Sequence, residues 1–185
     1  MKAEATPGLA PHRARRRELG ASAAGQAVFG PAPGVMPGIA LYLLAGLDRK
    51  GPWSPALVVG AMHVWRSDLA ETGGSASFTL DAASLDACPV RLRWWRLTAR
   101  PCASGLLGRL ATQGSNTLQR ASAARPFGVA GAVLSAGIGS PIEVTARLGI
   151  GVTLLRDSYE FATNVFYRAE AITISTSIGV GVHWP

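Results

Sequence analysis

Segment 171–184, directly before the C-terminal proline, alternates strictly between two kinds of side chain. One set is large and apolar except for Thr176, and its other members are Ile172, Ile174, Ile178, Val180, Val182 and Trp184. The second set is Ala171, Thr173, Ser175, Ser177, Gly179, Gly181 and His183. A period of two residues over this length predicts one extended β-strand. At about 3.3 Å per residue the strand would be about 45 Å long, whereas strands of soluble domains usually have about 5–6 residues.

The second face of this strand carries no Lys, Arg, Asp or Glu. A half-buried strand of a soluble sheet usually turns charged side chains to water, which also prevents pairing with other sheets. Small and hydroxylated side chains suit the crowded interior of a narrow closed barrel instead. The pattern therefore predicts that the large apolar face meets lipid.

The preceding segment, 142–155, repeats the pattern. Its apolar members are Ile142, Val144, Ala146, Leu148, Ile150, Val152 and Leu154. The residues that we predict to face lipid are Ile142, Val144, Leu148, Ile150 and Val152 here, and Ile172, Ile174, Ile178, Val180 and Val182 in the last strand. The same stripes are also compatible with a soluble β-sandwich or a lipocalin-like carrier barrel in which they point inward.

The bulk composition limits how this chain could meet a membrane. Its 185 residues allow one domain, and 48% of them are hydrophobic. No uninterrupted apolar run reaches the roughly 18 residues of a spanning helix. A membrane-spanning form of this chain must therefore be a closed barrel, because lipid offers no hydrogen-bond partner to an open sheet edge.

The whole sequence is typical of a meander of eight strands. The predicted strands are 21–30, 39–47, 54–65, 75–90, 102–112, 126–136, 142–155 and 171–184. The fold class is thus all-β, an eight-stranded antiparallel up-and-down β-barrel of the transmembrane type, with both chain ends on one side. The longer loops, near 31–35, 68–74, 113–125 and 156–170, are predicted on the opposite side. Side chains fill the interior of so small a barrel, which argues against a wide pore.

The N-terminal segment 1–20 is predicted to be a disordered leader ahead of a barrel domain at 21–185. It holds part of the net charge of +7, in Lys2, Arg13, Arg15, Arg16 and Arg17. The basic stretch is not followed by the apolar run of a secretory signal. Either the export signal lies upstream, in a longer reading frame, or the outer-membrane interpretation is wrong. We expect the first, and hence a bacterial outer-membrane protein, because segment 1–20 has no evident role in the fold.

Cys88 and Cys102 are candidates for a disulfide. A hairpin between the fourth and fifth predicted strands would bring them together, and closing a loop of about 15 residues contributes roughly 3 kcal/mol in the chain-entropy model. A disulfide also suits an exported compartment. The alternative is a pair of reduced, buried thiols. No spacing of Cys and His residues predicts a metal site.

The aromatic residues Trp53, Trp65, Trp94, Trp95 and Trp184 are predicted membrane-interface residues, because most of them fall near strand ends or in the link between strands. In the link 91–100, four arginines surround Trp94 and Trp95. Nucleic-acid binding through phosphate contacts and stacking is one interpretation. A loop whose Trp rings lie among headgroups while Arg meets lipid phosphate is the simpler one. We expect membrane lipid as the partner and no nucleic acid.

The search for catalytic residues finds little. The three histidines are His12, His63 and His183, and no G-x-S-x-G motif is present. The best triad fragment is His63 with Asp68 or Ser67, which leaves a lipid-modifying acyl hydrolase as an alternative function. We predict no catalytic, cofactor-binding or metal-binding residue and no small-molecule substrate. The expected role is structural, adhesive or loop-displaying, and the sequence indicates no oligomeric state.

Several short motifs add a resemblance. They are Pro37-Gly38, Trp53-Ser54-Pro55-Ala56-Leu57, Ala87-Cys88-Pro89-Val90-Arg91-Leu92, Arg100-Pro101-Cys102-Ala103 and Leu155-Arg156-Asp157-Ser158-Tyr159. Together with the glycine-alternating last strand, they resemble uncharacterised outer-membrane β-barrel proteins common in myxobacteria, over roughly residues 30–185. The resemblance implies a barrel behind an export signal and implies no catalytic or ligand-binding residues.

Overall fold

The computed structural model describes residues 16–49, 51–71, 74–115, 122–155, 158–161, 164–168 and 170–184. The strands are β1 (Arg16–Phe29), β2 (Val35–Asp48), β3 (Ala56–Glu71), β4 (Gly74–Cys88), β5 (Leu92–Trp94), β6 (Leu97–Ser115), β7 (Ser122–Gly139), β8 (Ile142–Thr153), β9 (Ser158–Phe161), β10 (Asn164–Arg168) and β11 (Ile172–Trp184). No helix long and apolar enough to cross a membrane is found in these residues.

Eight of the strands close into one antiparallel barrel. The ring runs β1, β2, β3, β4, β6, β7, β8, β11 and returns to β1. The short strand β5 forms a hairpin with the start of β6, and β9 pairs with β10 in the connection between β8 and β11. The predicted all-β, eight-stranded up-and-down barrel is confirmed.

The residue pairing defines how far the strands are staggered. Partners followed once around the ring are Leu19, Ala45, Leu57, Ala87, Ala103, Ala132, Ile150, Ile174 and Phe29. The path returns to β1 at Phe29, ten residues beyond its start at Leu19. This stagger is the shear of the barrel, and it requires strands tilted by several tens of degrees from the axis.

The strand directions sort the connections into two groups. Those that follow β1, β3, β6 and β8 lie at one end of the barrel, here called the loop end. Those that follow β2, β4 and β7 lie at the other end, together with both termini of the barrel, here called the terminal end. The four connections predicted to share one side do share it. The predicted bounds 68–74 and 113–125 are wrong, because β3 extends to Glu71, β4 begins at Gly74, β6 extends to Ser115 and β7 begins at Ser122.

The burial pattern decides which face points outward. In β11 the apolar set is exposed on the outside of the barrel, from 40% for Ile174 to 71% for Ile178, whereas Thr173, Ser177 and Gly181 are buried. β8 alternates in the same way, with Ile142 66% exposed. The alternative of a soluble carrier barrel with these stripes in its core is contradicted, because they form the outer surface.

The predicted boundary between leader and barrel is wrong. β1 begins at Arg16, inside the predicted leader 1–20, and Glu18 is one of the most buried residues of the chain. The side chain of Glu18 points into the barrel, where cationic partners stabilise it. Residues 1–15 lie outside the described residues.

The barrel interior has two zones. An apolar zone lies toward the loop end and contains Val28, Met36, Val64, Phe78, Leu80, Leu110 and Phe127. A polar zone fills the middle and the terminal end with Glu18, Gln26, Tyr42, Ser84, Asp86, Arg100 and Arg147. The small residues that alternate along the strands make room for these side chains: a Cβ on Gly60 would lie 2.7 Å from the Tyr42 ring.

Candidate functional site

A buried carboxylate organises the terminal end of the lumen. The Glu18 side chain is only 1% exposed. Nη1 of Arg91 donates to its Oε2 at 2.8 Å, Arg100 pairs with its Oε1, and Nε2 of His183 lies 2.8 Å from the same Oε1. These partners come from β6, β11 and the connection after β4, so the ion pairs cross the lumen.

Further charges surround this centre. Asp48 lies 3.5 Å from Arg91 and 3.2 Å from Arg93. Glu143 lies 3.7 Å from Nδ1 of His183, and its Oε1 accepts a hydrogen bond from Thr98 at 3.2 Å. We call the set Glu18, Asp48, Arg91, Arg100, Glu143 and His183 the terminal plug. Each carboxylate of the set lies within 4 Å of a basic side chain, and buried ionisable groups require such partners.

Arg91 is the plug residue contributed by a connection rather than a strand. Burial lowers the pKa of its guanidinium, while the carboxylates of Glu18 and Asp48 act in the opposite direction. The guanidinium is therefore held in the lumen as a cation by its two acidic neighbours. Its side chain is 8% exposed and lies in the lumen at the terminal end.

The disulfide fastens the segment that supplies two of the plug residues. Cys88 and Cys102 are bonded, with a sequence separation of 14 residues, and both point into the lumen with 1% and 4% exposure. The predicted disulfide is confirmed in the structure. The loop that it closes contains Arg91 and Arg100, so the bond limits how far both arginines move from Glu18.

A second ion pair blocks the middle of the lumen. Asp86 pairs with Arg147 and accepts a hydrogen bond from Ser104 at 2.5 Å. The Arg147 guanidinium stacks 4.0 Å from the centre of the Tyr42 ring, whose hydroxyl donates to Gln26 at 3.0 Å.

The spaces left inside the barrel are small. Cavities between the described side chains measure about 40 Å³ and about 60 Å³, enough for one or two waters each. One lies beside Gln26 and Asp86, and the other lies beside Glu143 and His183. The lumen is a packed interior rather than an open channel through the described residues.

On the outer wall one cluster of ionisable residues interrupts the apolar surface. His63 on β3 and Asp81 on β4 are register partners, and Nδ1 of His63 lies 2.6 Å from Oδ1 of Asp81. Asp81 is also the register partner of Arg109 on β6. All three side chains point away from the lumen and are exposed.

The structure gives His63 a carboxylate partner that the triad fragment of the sequence analysis does not contain. Nδ1 of His63 contacts Asp81 on the neighbouring strand β4. The Asp68 side chain lies outside the described residues. Ser67 lies four positions further along β3. Its side chain points to the same face of the strand as His63, at a distance of about 13 Å along the strand.

Four of the five predicted interface aromatics share the terminal end. Trp53 lies in the connection after β2, Trp94 and Trp95 form the tip of the β5–β6 hairpin, and Trp184 ends β11. Trp94 and Trp95 are 82% and 91% exposed. Trp65 lies apart from them, on the outer face of β3, with its ring centre 5.4 Å from that of His63. Membrane contact of these five residues stays a prediction.

The arginine-rich link is not one continuous basic surface. Arg91 and Arg100 point inward and bind Glu18, so they are unavailable to lipid phosphate or nucleic acid. Arg93 and Arg96 remain outside, and the Arg96 guanidinium lies 5.5 Å from the centre of the Trp95 ring. The fold thus divides the four arginines between the lumen and the outer surface, a distinction that charge counting along the sequence does not make.

No group of three or more metal-ligating side chains converges within the described part of the chain.

Comparison with known proteins supports the fold. No protein-family model matches the sequence, and no curated protein matches it either. Among solved structures, a major outer membrane protein of Thermus thermophilus superimposes with a TM-score of 0.65 at 10% identity, covering 91% of this chain and 100% of that chain.

A second similar structure is Ail, the attachment invasion locus protein of Yersinia pestis. It superimposes with a TM-score of 0.54 at 9% identity, covering 91% of this chain and 97% of that chain. At such low identity both likenesses concern the fold alone. The chain has the fold of closed eight-stranded barrels that are known from bacterial outer membranes.

Proposed function

We propose that this protein spans a bacterial outer membrane as a closed barrel and serves a structural, adhesive or loop-displaying role without enzymatic activity. Its partner is membrane lipid, and its loop end carries whatever recognition it performs. The similarity of its motifs to myxobacterial outer-membrane barrels is consistent with this role and stays a prediction.

The single observation that carries the proposal is the apolar outer wall. Side chains on the outside of neighbouring strands are large, apolar and mostly more than half exposed; they include Leu41, Leu43, Leu57, Val59, Leu85, Ile142, Leu148, Ile150, Val152, Ile178 and Val180. Soluble monomers rarely expose apolar patches of more than a few hundred Å². A wall of this kind is stable in hydrocarbon, where the closed ring also leaves no strand edge unpaired.

Two further features support an exported membrane protein. The aromatic residues at the terminal end lie where the apolar wall stops, as the interfacial girdle of an outer-membrane barrel does. The buried disulfide suits an oxidising compartment outside the cytosol.

The packed lumen argues for a role other than transport. Glu18, Asp86 and their arginine partners occupy the lumen with ion pairs that satisfy one another. The connections at the loop end then become the variable surface, supported by a rigid wall. Ail is named for attachment and invasion. An adhesive role of the loop end in this chain is a proposal by analogy of fold.

Refolding into lipid tests the proposal. Purified protein is refolded in detergent and in phospholipid vesicles, and its gel migration is compared with and without boiling. A closed membrane barrel stays folded in the unboiled sample and migrates faster than the boiled one. A monomer that stays soluble and folded without detergent or lipid would contradict the proposal.

The second candidate function, lipid acyl hydrolysis, draws on the 2.6 Å contact between His63 and Asp81 on the lipid-facing side of the wall. A His–carboxylate pair is part of hydrolytic triads. The vesicle-inserted protein is assayed for fatty-acid release from phospholipids, with His63→Ala as the matched variant. Release that the variant abolishes would favour the enzyme, and our account expects no release from either protein.

A further inference from the structure

The outer wall contains one group of ionisable side chains away from the strand ends. Apart from Arg17 at the start of β1, the described side chains that point outward from the wall strands and carry a charge or an imidazole are His63, Asp81 and Arg109. They are register partners in one row across β3, β4 and β6. Ionisable residues on a lipid-facing surface are costly and usually functional.

On β4 and β6 the row lies where the apolar part of the outer wall ends, on its side toward the loop end. Toward the terminal end, the outward residues of β4 and β6 are Ala83, Leu85, Ala87, Ala103, Gly105 and Leu107. Toward the loop end, the outward residues of the same strands include Ser77, Thr79 and Gln113. The register partner of His63 on β2 is Ile39, which is 60% exposed and apolar. The row therefore separates a mainly apolar part of the outer wall from a more polar part, and in a membrane it would meet the headgroup layer.

The charges within the row are only partly paired. Asp81 contacts His63 through Oδ1, and its side chain is 63% exposed, so the second carboxylate oxygen is accessible. Arg109 forms no ion pair with any residue that the structure describes. As direct neighbours on antiparallel strands, Asp81 and Arg109 have Cβ atoms roughly 5 Å apart. The carboxylate of Asp81 and the guanidinium of Arg109 therefore lie side by side on the outer wall.

We propose that His63, Asp81 and Arg109 bind the headgroup of a zwitterionic phospholipid, with its phosphate at Arg109 and its ammonium at Asp81. A guanidinium binds phosphate strongly through charge-assisted hydrogen bonds. The carboxylate of Asp81 and the guanidinium of Arg109 carry one negative and one positive charge as register partners, which matches a headgroup with one phosphate and one ammonium better than an anionic headgroup. Trp65, beside His63, adds an aromatic face that attracts an ammonium.

This inference rests on the proposed function, because the row meets headgroups only if the wall lies in a membrane. The test uses the whole protein refolded in detergent micelles, titrated separately with short-chain phosphatidylethanolamine, phosphatidylcholine and phosphatidylglycerol. The affinity for each lipid is taken from the rise in the unfolding temperature. Variants are Asp81→Asn, Arg109→Gln and, as a matched control, Arg49→Gln, whose side chain is exposed in the connection after β2.

We expect phosphatidylethanolamine to bind at least about tenfold more tightly than phosphatidylglycerol, because its ammonium gains a charge-assisted hydrogen bond to Asp81. Asp81→Asn removes this preference, Arg109→Gln weakens binding of all three lipids about tenfold, and Arg49→Gln leaves the affinities unchanged. Equal affinities for the three lipids, or variants that behave like the wild type, overturn the site. A preference for phosphatidylglycerol that Asp81→Asn strengthens also overturns it, in favour of a simple anion site.

Failure of the site and failure of the proposed function give different results. A protein that shows heat-modifiable migration and inserts into vesicles, yet does not discriminate between the lipids, refutes only the headgroup site. A protein that folds as a soluble monomer and needs no detergent refutes both.

Discussion

Glu18 in β1 and Arg100 in β6 form an ion pair between strands that lie opposite each other in the ring of eight. The pair bridges the full width of the lumen at the terminal end. Arg91 and His183 contact the same carboxylate. Glu18 therefore links β1 to β6, to β11 and to the connection after β4. The stability of the plug therefore depends on Glu18 more than on any other member.

Replacing Glu18 by Gln tests this dependence. The substitution keeps the shape of the side chain and leaves the buried guanidinium groups of Arg91 and Arg100 without their shared carboxylate. Breaking a buried ion pair in this way costs about 3–5 kcal/mol. We expect a loss of this size in the free energy of unfolding, measured with urea in vesicles.

Asp48→Asn is the matched control for that experiment. Asp48 contacts Arg91 and Arg93 from a more exposed position, with 26% of its side chain accessible. Its loss should cost no more than about 1 kcal/mol, as is usual for exposed pairs. Equal effects of the two substitutions would show that Glu18 is not the centre of the plug.

Reduction of the disulfide is expected to loosen the connection between β4 and β6. The loop between Cys88 and Cys102 regains conformational freedom, which corresponds to about 3 kcal/mol in the chain-entropy model. Unfolding in urea is measured with and without dithiothreitol, and the variant Cys88→Ser serves as control because it lacks the bond. A wild type that is insensitive to reductant after full reduction of the thiols would refute a stabilising role of the disulfide.

The Trp95 side chain should lie at the depth of lipid headgroups. A protein in which Trp53, Trp65, Trp94 and Trp184 are replaced by Phe reports on Trp95 alone. We expect lipids brominated near the headgroup to quench its fluorescence more than lipids brominated near the chain end. If neither lipid quenches it, the hairpin tip lies in water and the predicted interfacial role is wrong.

The sequence predicts the barrel well because the barrel wall has a local signature. Alternation along 142–155 and 171–184 depends on neighbours two residues apart, and both strands appear where the alternation lies. The prediction fails at Arg16, where consecutive charges mimic a disordered leader. Only the closed ring shows that Glu18 faces a lumen in which arginines from distant segments neutralise it.

Pairing between strands is the part that sequence reasoning misses. The predicted partners of His63 are near it in sequence, whereas its actual partner Asp81 is set by the register of β3 and β4. In the same way, Arg91 meets Glu18 across 73 residues of chain. Such contacts depend on stagger and closure, which no local pattern specifies.

Arginine substitutions at two depths of one strand test most directly whether the apolar wall lies in lipid. Ile178 lies in the middle of β11 and Ile172 at its end, and the two side chains are 71% and 54% exposed. In a bilayer, Ile178→Arg should lower the free energy of unfolding by about 2–4 kcal/mol and Ile172→Arg by about 0–1 kcal/mol. If both variants stay within about 0.5 kcal/mol of the wild type, as exposed substitutions in water usually do, the wall faces water and the account is wrong.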